Sequence, residues 1–302
     1  MKNQRNINIT GRLVALACTL TLLSCAYHAP EEDWEKHGRI RLHLNWQTRG
    51  EYPSDMTYYF YKDGIGRPLI RQGSSSGYEG TLPSGQYKVA VCNTDHTNLV
   101  LEMDDGYDRA CGKVRQVSAL KSSPVHVAHP GNLYGTGCHL TSVGGEETIV
   151  EELYPIGLVK TLELNIRLTG IDRLSPVGLS GRLTGISSHT HIPSGTPLFD
   201  TPAFMLFEPS AAVSGVYTTS LSMFGLSEGG DGSDPAELYL TLKTDDGKEI
   251  TSYTDVTKDI SNAFNNGLSA HIILDLAIAF DEISGLTITI MDWKEGTGEA
   301  GN

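Results

Sequence analysis

The segment LELNIRL, Leu162 to Leu168, sets Leu162, Leu164, Ile166 and Leu168 on alternate positions, with Glu163, Asn165 and Arg167 between them. Successive side chains of an extended chain point to opposite faces. This period of two therefore gives one apolar and one polar face, the mark of a half-buried strand. The same pattern occurs far upstream, where Ile40, Leu42, Leu44 and Trp46 alternate with Arg39, Arg41, His43 and Asn45.

Between and beyond these two runs the strand rhythm persists. Tyr58 to Tyr61 precede the turn KDG. Tyr87, Val89 and Val91 follow LPSG, whose Pro83 and Gly85 supply turn geometry, so Tyr78–Leu82 and Gln86–Cys92 are expected to form a hairpin. Short apolar runs at Leu99–Met103, Val125–Ala128 and Thr148–Leu153 are separated by Gly, Ser and Asn, a spacing that suits a β-sandwich. The texture restarts after Tyr154 and Pro155. Further strands are expected at Ala203–Phe207, Val213–Met223, Glu237–Leu242, His271–Phe280 and Leu286–Trp293, with DDG, Asp245–Gly247, as a hairpin turn. One short helix is expected over Val256–Asn265, with Asp255 at its N-cap and Gly267 after its end. The expected class is all-β, with two β-sandwich domains in tandem at residues 38–155 and 156–302.

The N-terminus carries a different signal. Lys2, Arg5 and Arg12 precede an apolar run from Leu13 to Ser24, which is too short for a membrane span of about 20 residues and has the length of a signal peptide. Leu22, Leu23 and Ser24 before Cys25 fit a lipobox. Residues 1–24 are then a lipoprotein signal peptide, and Cys25 is the lipidation site, carrying acyl chains such as palmitate. One acyl chain binds a membrane marginally, whereas two or three hold a protein there. Residues 25–37 read as a tether. Its acidic cluster Glu31, Glu32 and Asp33 is either a solvated linker or an export tag of the kind found on surface lipoproteins of Bacteroidota.

Loss of residues 1–24 leaves 278 residues and moves the net charge from −13 to −16, because Lys2, Arg5 and Arg12 are the charged residues removed. Such acidity disfavours nucleic acid and electrostatic attachment to anionic lipid. Cys92, Cys111 and Cys138 remain after Cys25, and an odd number cannot pair completely; one disulfide with one thiol, and three thiols, are both open.

The search for chemistry yields isolated fragments. His189 and His191 could share one face of a strand and chelate a metal, with His126, His129, Cys138 and His139 as further ligand types, but SHTHIPSG reads as a loop. Asp104, Asp105 and Asp108, and separately Asp231 and Asp234, lack calcium-loop spacing. GLSG, Gly178–Gly181, lacks the glycine spacing of a nucleophile elbow and reads as a turn. No metal, cofactor or catalytic residue is assigned, and the chain is not expected to be an enzyme.

The longer stretch LELNIRLTGIDRLSPVGLSGRLTGISS, Leu162 to Ser188, resembles the FimB/Mfa2-type fimbrial anchor family of Bacteroidota lipoproteins, in which a strand, a GI step and an SG turn recur in that order. PSDMTYYFYKDG (Pro53–Gly64), LPSGQYKV (Leu82–Val89), Trp46, Asn93 and the closing ITIMDWKEG (Ile288–Gly296) are similar to it as well. The resemblance implies two transthyretin-like, pilin-type β-sandwiches and a fimbrial anchor or accessory subunit of the outer membrane that supports cell adhesion. It also implies assembly with other pilin-like subunits by strand exchange, in which backbone bonds give affinity and alternate side chains set register. The candidate exchanged segment is Leu286, Ile288 and Ile290, unless that strand completes its own sandwich. Two other readings stand beside this one. A glycan-binding surface lipoprotein would use Trp34, Tyr52, Tyr58, Tyr59 or Trp293, although Tyr58 and Tyr59 point to opposite faces of one strand. A tethered hydrolase would rest on scattered carboxylates.

Overall fold

The computed structural model describes residues 36–46, 52–117, 124–170, 176–211, 215–229, 234–258, 260, 264, 271–281 and 285–296. The lipobox, Cys25 and the acidic cluster lie outside them. In the N-terminal half the strands are β1 (His37–Leu44), β2 (Asp55–Lys62), β3 (Leu69–Ser74), β4 (Gly77–Pro83), β5 (Gly85–Asn93), β6 (Leu99–Glu102), β7 (Cys111–Val114), β8 (Val125–His126), β9 (Tyr134–Val143) and β10 (Ile149–Leu153). After Pro155 follow β11 (Ile156–Gly157), β12 (Lys160–Thr169), β13 (Pro176–Ile186), β14 (His189–His191), β15 (Thr196–Leu198), β16 (Ala203–Phe207), β17 (Ser210–Ala211), β18 (Val216–Met223), β19 (Glu237–Thr244), β20 (Glu249–Asp255), β21 (His271–Asp281) and β22 (Gly285–Glu295). The protein is all-β, and among the described residues no helix is long and apolar enough to cross a membrane.

The first sheet runs β10-β1-β4-β3-β2-β5-β9-β11 and folds over on itself at the largely exposed β3. Ile40 and Leu42 of β1, Leu82 of β4 and Leu153 of β10 thereby meet Tyr58 and Phe60 of β2 and Val89 and Val91 of β5 in one closed core. Two glycines let the layers touch, since a Cβ on Gly38 would lie 2.3 Å from the backbone nitrogen of Gly144.

This folding-over corrects the expected hairpin. Tyr78–Leu82 and Gln86–Cys92 do not pair; β4 lies between β1 and β3, and β5 between β2 and β9. Pro83 is still paired with His37, and the Ser84 N–H donates to the Lys36 carbonyl at 2.6 Å. The chain at Pro83–Gly85 is held to the β1 side and crosses from one layer to the other instead of reversing.

Most strands after Pro155, joined by β8 from the N-terminal half, form a sandwich of two five-stranded sheets, β17-β18-β12-β21-β22 and β20-β19-β13-β16-β8. The alternation of the LELNIRL segment lies on β12. Leu162, Leu164 and Ile166 are buried and pack in one cluster with Leu274 and Ile278 of β21, Leu183 of β13, Met205 of β16 and Leu240 of β19. Thr257, Lys258, Ile260 and Phe264 are helical, and Val256, Ile260 and Phe264 bury an i, i+4, i+8 stripe. The expected cap is present: the Thr257 N–H donates to Asp255 Oδ1 at 2.8 Å. Gly267 lies outside the described residues.

GLSG is not a turn but the middle of β13, a second correction. Gly181 sits there because the Phe207 ring lies across it; a Cβ would fall 2.1 Å from that ring. Gly181→Ala is therefore expected to push Phe207 out of the core and lower stability by about 1–3 kcal/mol. Chemical denaturation checks this, and an unchanged midpoint would refute the packing argument.

A fourth sheet, β15-β14-β7-β6, joins the halves, because β7 and β14 come from opposite sides of Pro155. β8 likewise pairs with β16, and β11 with β9. The C-terminal core continues through this sheet to Tyr61 and Cys92 on the outer side of β2 and β5. Both faces of those strands are consequently buried.

Candidate functional site

The two sheets of the C-terminal sandwich each end in an edge strand on the side of β22 and β20. β22 is one such edge, paired with β21 alone. Leu286, Ile288 and Ile290 lie opposite Phe280, Ile278 and Leu276; the first two are buried and Ile290 packs against the same core. The strand thus completes its own sheet, with one row of backbone groups turned outward. Its regularity ends at Met291, which has no partner because Asp292 pairs with Asp275 and Ile290 with Leu276. Such a bulge twists an edge and interrupts its hydrogen-bonding row. Met291 is 66% exposed, and Trp293 beyond it is also exposed.

β20 is the corresponding edge of the facing sheet and lies alongside β22. It follows the DDG turn, in which Gly247 adopts φ 81° and donates its N–H to the Thr244 carbonyl. Its pairing with β19 runs without a bulge from Glu237↔Asp255 to Lys243↔Glu249. The DDG turn marks this hairpin in the sequence, and the second strand alternates Glu249, Thr251, Tyr253 and Asp255 with Ile250, Ser252 and Thr254.

The histidines have local tasks. His189 and His191 lie on β14 and not in a loop, a correction that follows from pairing with β7, a strand more than seventy residues earlier that no local pattern could reveal. His189 contacts Ser188 Oγ through Nδ1 at 2.9 Å and Asp200 Oδ1 through Nε2 at 2.9 Å. His191 contacts Ser194 Oγ at 2.7 Å and the Tyr107 carbonyl at 3.1 Å. His129 Nδ1 accepts the Ser222 N–H at 3.2 Å, and burial lowers its pKa, favouring the neutral ring. His139 sits edge-on to Tyr107, while Cys138 is on the same strand. Among the described residues no three His, Cys, Asp or Glu side chains are grouped to hold a metal ion.

Asp108 pairs with Lys88 at 3.0 Å, Asp104 and Asp105 occupy a turn, and Asp231 lies outside the described residues. Cys92, Cys111 and Cys138 are all thiols. Burial pushes the pKa values of Cys92 and Cys138 up to about 12 and also raises that of Cys111, so none is poised as a nucleophile. An open cleft of about 560 Å³ is lined by His129, Ser180, Gly181, Leu206, Phe207, Glu208 and Thr219, and the Nδ1 atom of its histidine is engaged by the Ser222 N–H.

The aromatic residues divide by burial. Tyr58 is fully buried between Phe60 and Tyr78. Tyr59 packs on the opposite core, so neither ring is offered to a glycan. Tyr52 stacks on Trp46 at 4.5 Å, Trp293 is exposed on β22, and Trp34 lies outside the described residues.

Known proteins share this architecture. The family model described as a domain of unknown function, DUF5119, matches residues 24–208. No curated protein sequence matches the chain. A candidate adhesin from Bacteroides ovatus superposes with a TM-score of 0.61 at 19% identity, over 76% of this chain and 85% of that one. A candidate polysaccharide-binding protein from Bacteroides thetaiotaomicron gives 0.57 at 12% identity, over 84% and 96%. The fimbrial anchor protein Mfa2 from Porphyromonas gingivalis gives 0.55 at 11% identity, over 85% and 96%. At these identities the likeness is one of fold.

Proposed function

We propose, from the premise that this chain belongs to the family of the domain of unknown function DUF5119, that it is a lipid-anchored accessory subunit of a surface fimbrium that supports adhesion. The observation that carries this reading is the double β-sandwich, an architecture also seen in the fimbrial anchor Mfa2 and in the candidate adhesin. The strands before and after Pro155 are joined by β7–β14, β8–β16 and β9–β11. Such a body suits a load-bearing element, since pulling on one half loads strand pairs made with the other.

Attachment is assigned to Cys25 behind Leu22, Leu23 and Ser24, and joining to neighbouring subunits to strand pairing. Leu286, Ile288 and Ile290 of β22 are the candidate exchanged segment. They already fit an apolar groove at alternate positions, as an exchanged strand must. No residue is given a catalytic task.

The anchor is tested by Cys25→Ala. With two or three acyl chains the unaltered protein fractionates with outer membranes, and the variant is expected to be released into the soluble fraction together with any fimbriae it holds. Equal membrane association of both forms, with fimbriae still attached, would refute lipid anchoring.

A further inference from the structure

The outer face of the sheet β20-β19-β13-β16-β8 carries one planar side chain from each strand. Tyr253 of β20 stacks on Tyr239 of β19 with centroids 5.3 Å apart and planes 24° apart. The guanidinium carbon of Arg182 on β13 lies 4.1 Å from the Tyr239 ring centre and 5.9 Å from that of Phe204 on β16. Phe204 stacks in turn on His126 of β8 at 5.1 Å. Tyr253 is directly opposite Tyr239, Tyr239 opposite Arg182, and Phe204 opposite His126. Arg182 itself lies opposite Leu206 and reaches Phe204 diagonally, so the row crosses the five strands with one diagonal step between β13 and β16. It stops at Tyr253, 60% exposed on the edge strand, and among the described residues no further ring continues it.

The backbone of β20 is unpaired on the side away from β19, with β22 of the facing sheet close by. The Val256 N–H bonds to the Ala236 carbonyl, and the Thr244 N–H to that of Lys248. Bonded pairs alternate in an antiparallel ladder, so the pairs linking β20 to β19 are those of Ile250, Ser252 and Thr254. Thr251 and Tyr253 stand in the closer, non-bonded pairs, as the 2.8 Å contact between the Thr241 and Thr251 hydroxyls shows. Their N–H and C=O groups point off the edge, and among the described residues no group bonds to them. Edges are commonly guarded by proline, lysine or a bulge; Glu249–Asp255 has none of these, whereas β22 is interrupted at Met291.

We infer that β20 is the edge that accepts an extended strand of a neighbouring fimbrial subunit, and that this strand presents an aromatic or arginine side chain as the sixth rung over Tyr253. Glu249 and Asp255, exposed on the same face at the two ends of β20, make that edge acidic and favour a strand carrying lysine or arginine, although Glu249 also meets Lys243 at 4.0 Å and Asp255 Oδ1 accepts the Thr257 N–H. The inference rests on the reading that subunits join by strand pairing, and adds the receiving edge and the chemistry it selects.

The test uses full-length protein in native outer membranes, with amine crosslinking through Lys243 and Lys248, both beside the start of β20. It compares the unaltered protein with Thr251→Pro, Tyr253→Ala and Tyr253→Trp. Thr251→Pro removes an outward N–H that β19 does not use, and Tyr253→Ala removes the last ring. Each is expected to reduce the captured subunit by about tenfold, while Tyr253→Trp retains it. Crosslinks should map to one segment of that subunit bearing an aromatic residue or arginine. Undiminished capture by a folded Thr251→Pro, equal loss in Tyr253→Ala and Tyr253→Trp, or crosslinks confined to this chain or a second copy of it would each overturn the assignment and leave strand pairing at another edge standing. If the unaltered protein captures no subunit, the strand-pairing reading falls, and this inference with it.

Discussion

Tyr58→Ala is expected to lower the unfolding free energy by about 3–5 kcal/mol, the range for deleting a large buried ring. The Tyr58 ring is fully buried, 5.4 Å from Tyr78 and 6.5 Å from Phe60, in the layer contact that closes the first sheet on itself. Its hydroxyl makes only a long bond, 3.3 Å, to the Ser74 carbonyl, so Tyr58→Phe should cost about 1 kcal/mol or less. The pair of variants separates packing from hydrogen bonding. It also separates a core role from a glycan-contact role: a ring that met sugars would be removable without loss of stability. Urea or guanidinium titration of both variants decides, and a Tyr58→Ala protein as stable as the parent would contradict the folded-over sheet.

Alkaline pH should destabilise the protein steeply through the same strand. Burial pushes the pKa values of Tyr58 and Tyr61 well above the ordinary phenol value and that of Tyr59 up to about 12, with smaller contributions at Tyr59 and Tyr61 from nearby Cys92 and Asp104. The neutral phenol is the form the folded state favours. Above about pH 10 the unfolded chain releases these protons while the folded chain keeps them, so stability that is fully present below pH 10 falls as pH rises. Each buried tyrosine contributes about 1.4 kcal/mol per pH unit, and Tyr58 with Tyr61 would remove about 5 kcal/mol between pH 10 and 12. That is comparable to the whole stability of many domains. Thermal melts from pH 8 to 12 should show a steep decline beginning near pH 10, together with tyrosinate absorbance appearing only on unfolding. A flat profile across this range would contradict the burial of these phenols.

The sequence was most readable where one strand face is wet. Alternation at Ile40–Trp46 and Leu162–Leu168 marks β1 and β12 because polar residues occupy their second face. β2 and β5 are harder to interpret, since they separate two cores and bury both faces, so period alone does not orient Tyr58, Tyr59 and Tyr61. The strands that join the halves are the least legible. β8 has two residues and β14 three, too few for any period, and their partners lie far away in sequence. Local glycine and proline also misled in two places. Pro83 and Gly85 mark a crossing between layers, and Gly181 makes room for Phe207; a glycine needed for close approach is written with the same letter as one needed for a turn. The edge assigned to receive a neighbour was partly legible, because DDG marks its hairpin. Its exposed ring row was not, as it exists only once five separate strands come into register.

The most direct test of the account is to recover the native protein from outer membranes after mild crosslinking and identify the chains bound to it. A stable ladder of β-rich, pilin-like subunits is the expected result. Recovery of the protein alone, or with a porin-like transporter in place of such subunits, would contradict a role in holding fimbriae by strand pairing.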